Sequence, residues 1–303
     1  MGIVLNEGLS QISLIFIYAA MAVYTGAFLT FVSHLSRLAS EKKKVRSAAT
    51  KLERVAIIVL AVGALLHGTG VVLRGIAASR VPWANMYEFS ITGSFVVMVI
   101  FLVALAIKDI RLLATFVSGF VLLILGSATA IFYVEVKSLM PALQSYWLVI
   151  HVTVAILATA FFNIAAALSI AYIFKTAKWV EKSKLKAVAT FRRVLALFPS
   201  IEKLERLSYR FNIIGFILWS FTLIAGAIWA ERAWHRYWGW DTKEVWTFII
   251  WTIYAGYLHA NATRGWSGKR SAWLSLVGFA AILFNFTIVN LFFKGLHVYS
   301  GLK

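Results

Sequence analysis

The 303-residue chain is 61% hydrophobic and 14% charged, and its mean hydropathy of +0.82 lies far above that of a soluble domain. No cysteine occurs, which excludes disulfides and any thiol nucleophile supplied by the chain itself. The net charge of +18, from 30 Lys and Arg against 12 Asp and Glu, has to be read first against membrane topology.

Apolar runs long enough to cross about 30 Å of hydrocarbon as helices recur along the chain. They predict an all-α polytopic membrane bundle, one integral membrane domain over 1–303, with spans near 9–33, 55–73, 89–107, 112–133, 146–174, 211–230, 243–260 and 272–293. The first run follows MGIVLNEGLS, which carries an acid and no basic region, so it reads as a retained span rather than a cleaved signal. Long basic segments follow spans one and five, and 22 of the 30 Lys and Arg fall on the side those segments share. That side is expected to be cytoplasmic, with both termini outside. Attraction to an anionic lipid bilayer accounts for the remaining excess charge, and no nucleic-acid partner is needed.

No repeat, low-complexity tract or interdomain linker interrupts the bundle. Within the basic segment 175–210, the run LKAVATFRRVLALF places Leu185, Val188, Leu195 and Phe198 opposite Lys184, Lys186, Arg192 and Arg193, the pattern of an interfacial amphipathic helix.

The unusual residues collect on the outer side. Between spans six and seven, AWHRYWGWDTKEVW packs four tryptophans, a tyrosine and charges of both signs into residues 233–246. His151 lies near the outer end of span five and His297 just past span eight, flanking that loop, whereas His67 and His259 lie within spans two and seven. Two imidazoles brought from opposite sides of a macrocycle make a bis-histidine haem site. Trp234, Trp238 and Trp240 offer apolar plates, with Arg232, Arg236 and Lys243 for the propionates. The same aromatics also suit a plain interfacial belt, the simplest reading of Trp83, Trp147 and Trp266. His34, beside the basic loop, carries no functional expectation.

The run ERAWHRYWGWDTKEVW followed by TFIIWTIYAGYLHA resembles the tryptophan-rich WWD signature of the haem-handling proteins of cytochrome c maturation, and in detail the CcsA (ResC) family. VPWANMYEF, SYWLVIHV, LSYRFNIIGF, GWSGKRSAWLSLVGF and NLFFKGLHVYSG resemble the family in the same order, so the likeness covers about residues 60–300. It implies an outer haem b held over the Trp loop 231–246 by His151 and His297, and a second haem position within the membrane at His259, with His67 as candidate partner. Asn85, Tyr87, Glu88 and Asp241 fall on family motifs. Asn85 is expected near the haem edge or in a turn against the Trp loop, and Asp241 as a helix cap or an orienter of a ligand histidine. His235 and Thr242 depart from the family pattern, which has glycine and proline there.

The activity implied is that of a cytochrome c haem lyase, which joins haem vinyl groups to the two cysteines of a C-x-x-C-H motif in apocytochrome c. The implied partners are a CcsB (ResB)-like membrane subunit and a thiol-reducing protein, and the expected home is a bacterial cytoplasmic membrane, with the thylakoid second. Rival readings are a haem exporter or chaperone that forms no bond, a membrane di-haem electron carrier, and a structural subunit without cofactor.

Overall fold

A computed structural model describes residues 6–38, 43–107, 110–137, 144–263, 265–293 and 295–296, with only the backbone of residues 38 and 43–50. In chain order the helices are α1 Glu7–Leu38, α2 Lys43–Ala78, α3 Met86–Ile107, α4 Ala114–Ala130 after a 3-10 turn, α5 Tyr146–Lys175, α6 Lys178–Lys182, α7 Lys186–Leu197, α8 Ile201–Trp234, α9 Thr242–Thr263 and α10 Lys269–Phe284. A π-helical segment, Asn285–Val289, carries α10 into a last turn, α11 Asn290–Phe292. No strand occurs among the described residues.

Seven helical stretches are long and apolar enough to cross a membrane, so this is a multi-pass membrane protein. They match seven of the eight expected spans. The remaining one, at 243–260, falls on α9, which is 22 residues long but is not among the seven. Its polar residues, among them Thr252, His259 and Asn261, lower its mean hydropathy. Several helices also run past the expected span ends: α1 reaches Leu38, α2 begins at Lys43 and α8 at Ile201. Basic and acidic residues do not end a helix when good helix formers continue the register.

The two most extensive pairings are α1 along α2 and α5 along α8. One core cluster joins α1 to α4 with the C-terminal half of α5 and the start of α8, and a second joins α5, α8, α9 and α10. In the second, Phe162 lies flat on Tyr254 with ring centres 3.7 Å apart. Gly215 of α8 and Gly278 of α10 press on those rings: a Cβ at either would lie 2.7 Å from a ring carbon. Gly215→Val should therefore cost about 1–3 kcal/mol through overpacking. A thermal-inactivation midpoint in detergent equal to that of the parent would contradict this packing.

At the other end of the bundle, Arg74 and Glu88 are fully buried. Arg74 donates to Glu88 Oε1 at 3.2 Å, to Ser10 Oγ at 2.9 Å and to the Val134 carbonyl at 2.8 Å. Arg80 reaches both Glu88 oxygens, at 2.5 and 3.1 Å. Buried charges of this kind persist only when paired and hydrogen-bonded, and here the pairing joins α1, α2, α3 and the chain after α4. Tyr87 lies beneath the Arg74 guanidinium, 5.0 Å from ring centre to Cζ.

On the basic side, α7 packs against α1 and α5, with Leu195 buried and Arg192 and Arg193 exposed. Lys175 Nζ ties the end of α5 to the carbonyls of Phe198 and Pro199, at 2.7 and 2.8 Å. His34 is buried and sits 3.5 Å from Glu53, which also accepts from Arg111 at 2.9 Å. It therefore links α1 to α2 rather than standing beside the loop without a role.

Candidate functional site

An apolar cavity of about 240 Å³ opens between α3, α5, α8 and α10, under the turn 83–85 and the Trp loop. A single water needs roughly 10–15 Å³ on the same measure, so this space suits a large ligand rather than a few solvent molecules. Its walls are helical faces: Phe89, Ser90 and Val97 from α3, His151, Ala155 and Thr159 from α5, and Trp219, Thr222, Gly226 and Trp229 from α8.

His151 is held in a defined state. Its Nδ1 lies 2.9 Å from the carbonyl oxygen of Thr222. A carbonyl can only accept, so Nδ1 carries a hydrogen, and in the neutral ring Nε2 then holds the lone pair, the arrangement that orients a metal-binding imidazole. Gly226, one turn further along α8, lets the ring come close: a Cβ there would lie 2.7 Å from Cε1. The Trp229 ring runs nearly parallel to the imidazole, at 18° with centres 6.0 Å apart.

The Trp loop is wrapped around one carboxylate. Glu244 Oε2 accepts from the backbone nitrogens of Gly239 and Asp241, at 2.8 and 3.0 Å. Together with Asp241 Oδ1, which accepts from Lys243 N at 2.9 Å, this is a reciprocal cap on the start of α9. The wrapping holds Trp240 at φ +58°, while His235 at φ +56° ends α8 with its nitrogen on the Glu231 carbonyl at 2.8 Å. Left-handed non-glycine residues mark strain held by their surroundings. Asp241 Oδ2 also accepts from Leu296 N at 2.8 Å, and Gly295 packs so closely on that carboxylate that a side chain would collide with it. Lys243 Nζ donates to the Asn285 carbonyl at 2.9 Å, at the first residue of the π-helical segment.

The residues expected at the site divide. His151, Trp238, Asn85 and Lys243 line the cavity. Asn85 is also the cap of α3, accepting from Glu88 N at 2.9 Å, so the turn reading of that motif holds beside the cavity. Trp234 packs edge-on against Trp229 at 4.8 Å rather than facing the cavity, and Trp240 is 78% exposed. Arg232 is exposed, 3.8 Å from Glu231, and Arg236 lies against Gly239. His297 lies outside the described residues; Leu296, immediately before it in sequence, is bonded to Asp241.

His67 and His259 are not brought together. His67 is fully buried near Tyr24 and Phe95, with Nε2 2.8 Å from the Ile91 carbonyl and Nδ1 3.4 Å from the Tyr24 hydroxyl. His259 is on an exposed face of α9.

Sequence reasoning missed Trp219 and Trp229, and took Trp83 for a simple anchor although it borders the cavity. The signal was available. Trp219, Thr222, Gly226 and Trp229 recur at helical spacing, the face that α8 turns toward His151. Phe89 and Phe286, stacked at 5.3 Å, carry no comparable mark because isolated phenylalanines are everywhere in apolar spans.

Comparison with known proteins identifies the family of the chain. The family described as cytochrome C assembly protein matches residues 83–297. A cytochrome c biogenesis protein CcsA of Prochlorococcus marinus is 35% identical over 269 residues, covering 80% of this chain and 83% of its own. The CcsA of Guillardia theta is 35% identical over 244 residues, covering 76% and 80%. Among solved structures, the cytochrome c heme lyase CcmF shares the fold, with a TM-score of 0.59 at 16% identity over 93% of this chain. This chain spans only 47% of that structure's length. By the extent and identity of these matches, the chain belongs to the CcsA family of cytochrome c biogenesis proteins.

Proposed function

We propose that the chain is the haem-presenting subunit of a cytochrome c haem lyase, which holds haem b in the cavity beneath the Trp loop for attachment to apocytochrome c. Family membership supports the wider role in cytochrome c maturation. The observation that carries the finer reading is His151: a ring on the wall of a large apolar cavity, its Nδ1 fixed by the Thr222 carbonyl so that Nε2 is the ligating nitrogen.

In this reading His151 and His297 ligate the iron of the outer haem, and Trp238 with the α3 and α8 aromatics covers its faces. The Trp loop faces outward in an eight-span topology with both termini outside. The chemistry belongs to the substrates. Each cysteine S–H of the C-x-x-C-H motif adds across a vinyl C=C, forming a C–S bond and placing the hydrogen on the neighbouring carbon, with no net oxidation. The motif's histidine then replaces one protein ligand on iron. The chain contributes position and exclusion of water, which converts an encounter into an oriented reaction. A CcsB-like subunit and a thiol reductant complete the system in a bacterial cytoplasmic membrane.

His259, exposed on α9, serves the second haem position. His67 would have to give up its bond to Ile91 or Tyr24 to join it.

The direct test supplies the purified complex with haem and reduced apocytochrome and looks for haem that stays on the polypeptide after denaturation. A covalent product is expected. Haem binding without product would leave the exporter or chaperone reading, and permanently bound haem reduced by quinol would favour an electron carrier.

A further inference from the structure

Lys243 presents an unusual balance of charge. Its side chain lines the cavity, and its ammonium bonds to a neutral carbonyl, Asn285 O, at 2.9 Å. No carboxylate among the described residues forms an ion pair with it. The two acids nearest in sequence are engaged elsewhere: Glu244 by the Gly239 and Asp241 nitrogens, Asp241 by the Lys243 and Leu296 nitrogens. Beside it Asn285, 5% exposed and also on the cavity wall, has a buried Oδ1 with no hydrogen-bond partner. Both groups sit where the π-helical segment begins, and such segments concentrate at functional sites.

Asp241 acts on the ammonium only through space, and an ammonium on an apolar wall with no direct ion pair, next to an amide oxygen that lacks a donor, is costly unless a ligand completes it. We propose that Lys243 and Asn285 form a carboxylate subsite, which takes one acidic side arm of a flat apolar ligand while the rest fills the cavity. The ammonium supplies charge, and Asn285 Oδ1, an acceptor, takes one hydrogen of a water whose other hydrogen goes to the carboxylate. Resting on the haem reading above, the subsite takes a haem propionate and so fixes which edge of the ring faces outward. A point charge on a flexible stem suits a single carboxylate oxygen, where an arginine would demand a planar pair.

The test compares haem with haem dimethyl ester, whose side arms are uncharged, by titration into the purified protein with its partner subunit. The parent should bind haem roughly tenfold or more tightly than the ester, as expected for a buried charge-assisted bond. Lys243→Met should bind the two with equal affinity, and Asn285→Leu should narrow the gap. Equal affinity in the parent, or a preference undiminished in Lys243→Met, overturns the subsite while leaving the haem reading intact. Failure of the parent to bind either compound would instead overturn the haem reading, and the subsite with it.

Discussion

His151→Ala is expected to lower the yield of covalent cytochrome c by well over tenfold. Loss of a group that merely orients a metal ligand already costs about 10–100-fold in affinity or activity, and here the ligand itself is removed. The fold should survive, because the ring lines a cavity rather than filling the core. Added imidazole can occupy the vacated space and bind iron, so partial recovery of product is the specific sign of ligation. Gly226→Val should imitate the loss without touching the histidine, since a Cβ there would lie 2.7 Å from the ring. A His151→Ala variant that matures cytochrome at the parent rate, or one that imidazole never helps, would count against the role assigned to this residue.

Glu88→Ala is expected to be the most destabilising single change near the site. It leaves Arg74, fully buried, and Arg80 side by side without their shared counter-charge, and removes the acceptor of Ala84 N at 3.0 Å. Breaking a buried ion pair by deleting one partner costs about 3–5 kcal/mol. Asn85→Ala removes only the α3 cap, worth about 1 kcal/mol, and is the natural control in the same motif. Thermal midpoints in detergent decide the matter: Glu88→Ala should fall well below Asn85→Ala, and equal midpoints would mean that the charge cluster does not hold the rim. Trp83, Ala84 and Asn85 line the cavity, so the cluster that stabilises the bundle also fixes one wall of the site.

These two cases separate what the sequence could disclose from what it could not. Seven spans were legible because about twenty apolar residues in a row have few other meanings, and the expected eighth lies on a helix, α9, that falls outside those seven. That His151, Trp238 and Lys243 gather around one place, the cavity wall, was legible because loops and span ends with unusual chemistry are few. The Arg74–Glu88–Arg80 cluster was not, since its contacts reach Ser10 and Val134, 64 and 60 residues from Arg74. The Asp241–Leu296 bond spans 55 residues, and no periodicity announces it. Trp234 and Trp240 show the opposite limit: residue type says nothing of packing, and with the loop wrapped around Glu244, Trp240 is left exposed while Trp234 packs on Trp229. Position within a span did not tell His67 from His259, and packing places one inside the bundle and the other on its surface.

The most direct measurement of the central claim is the visible spectrum and haem-to-protein ratio of the complex purified from membranes, for the parent and for a His151→Ala, His297→Ala double variant. The parent should carry haem with sharp low-spin bands, and the double variant should lose them. A parent without haem, or a double variant with an unchanged low-spin spectrum, would contradict haem presentation by this site.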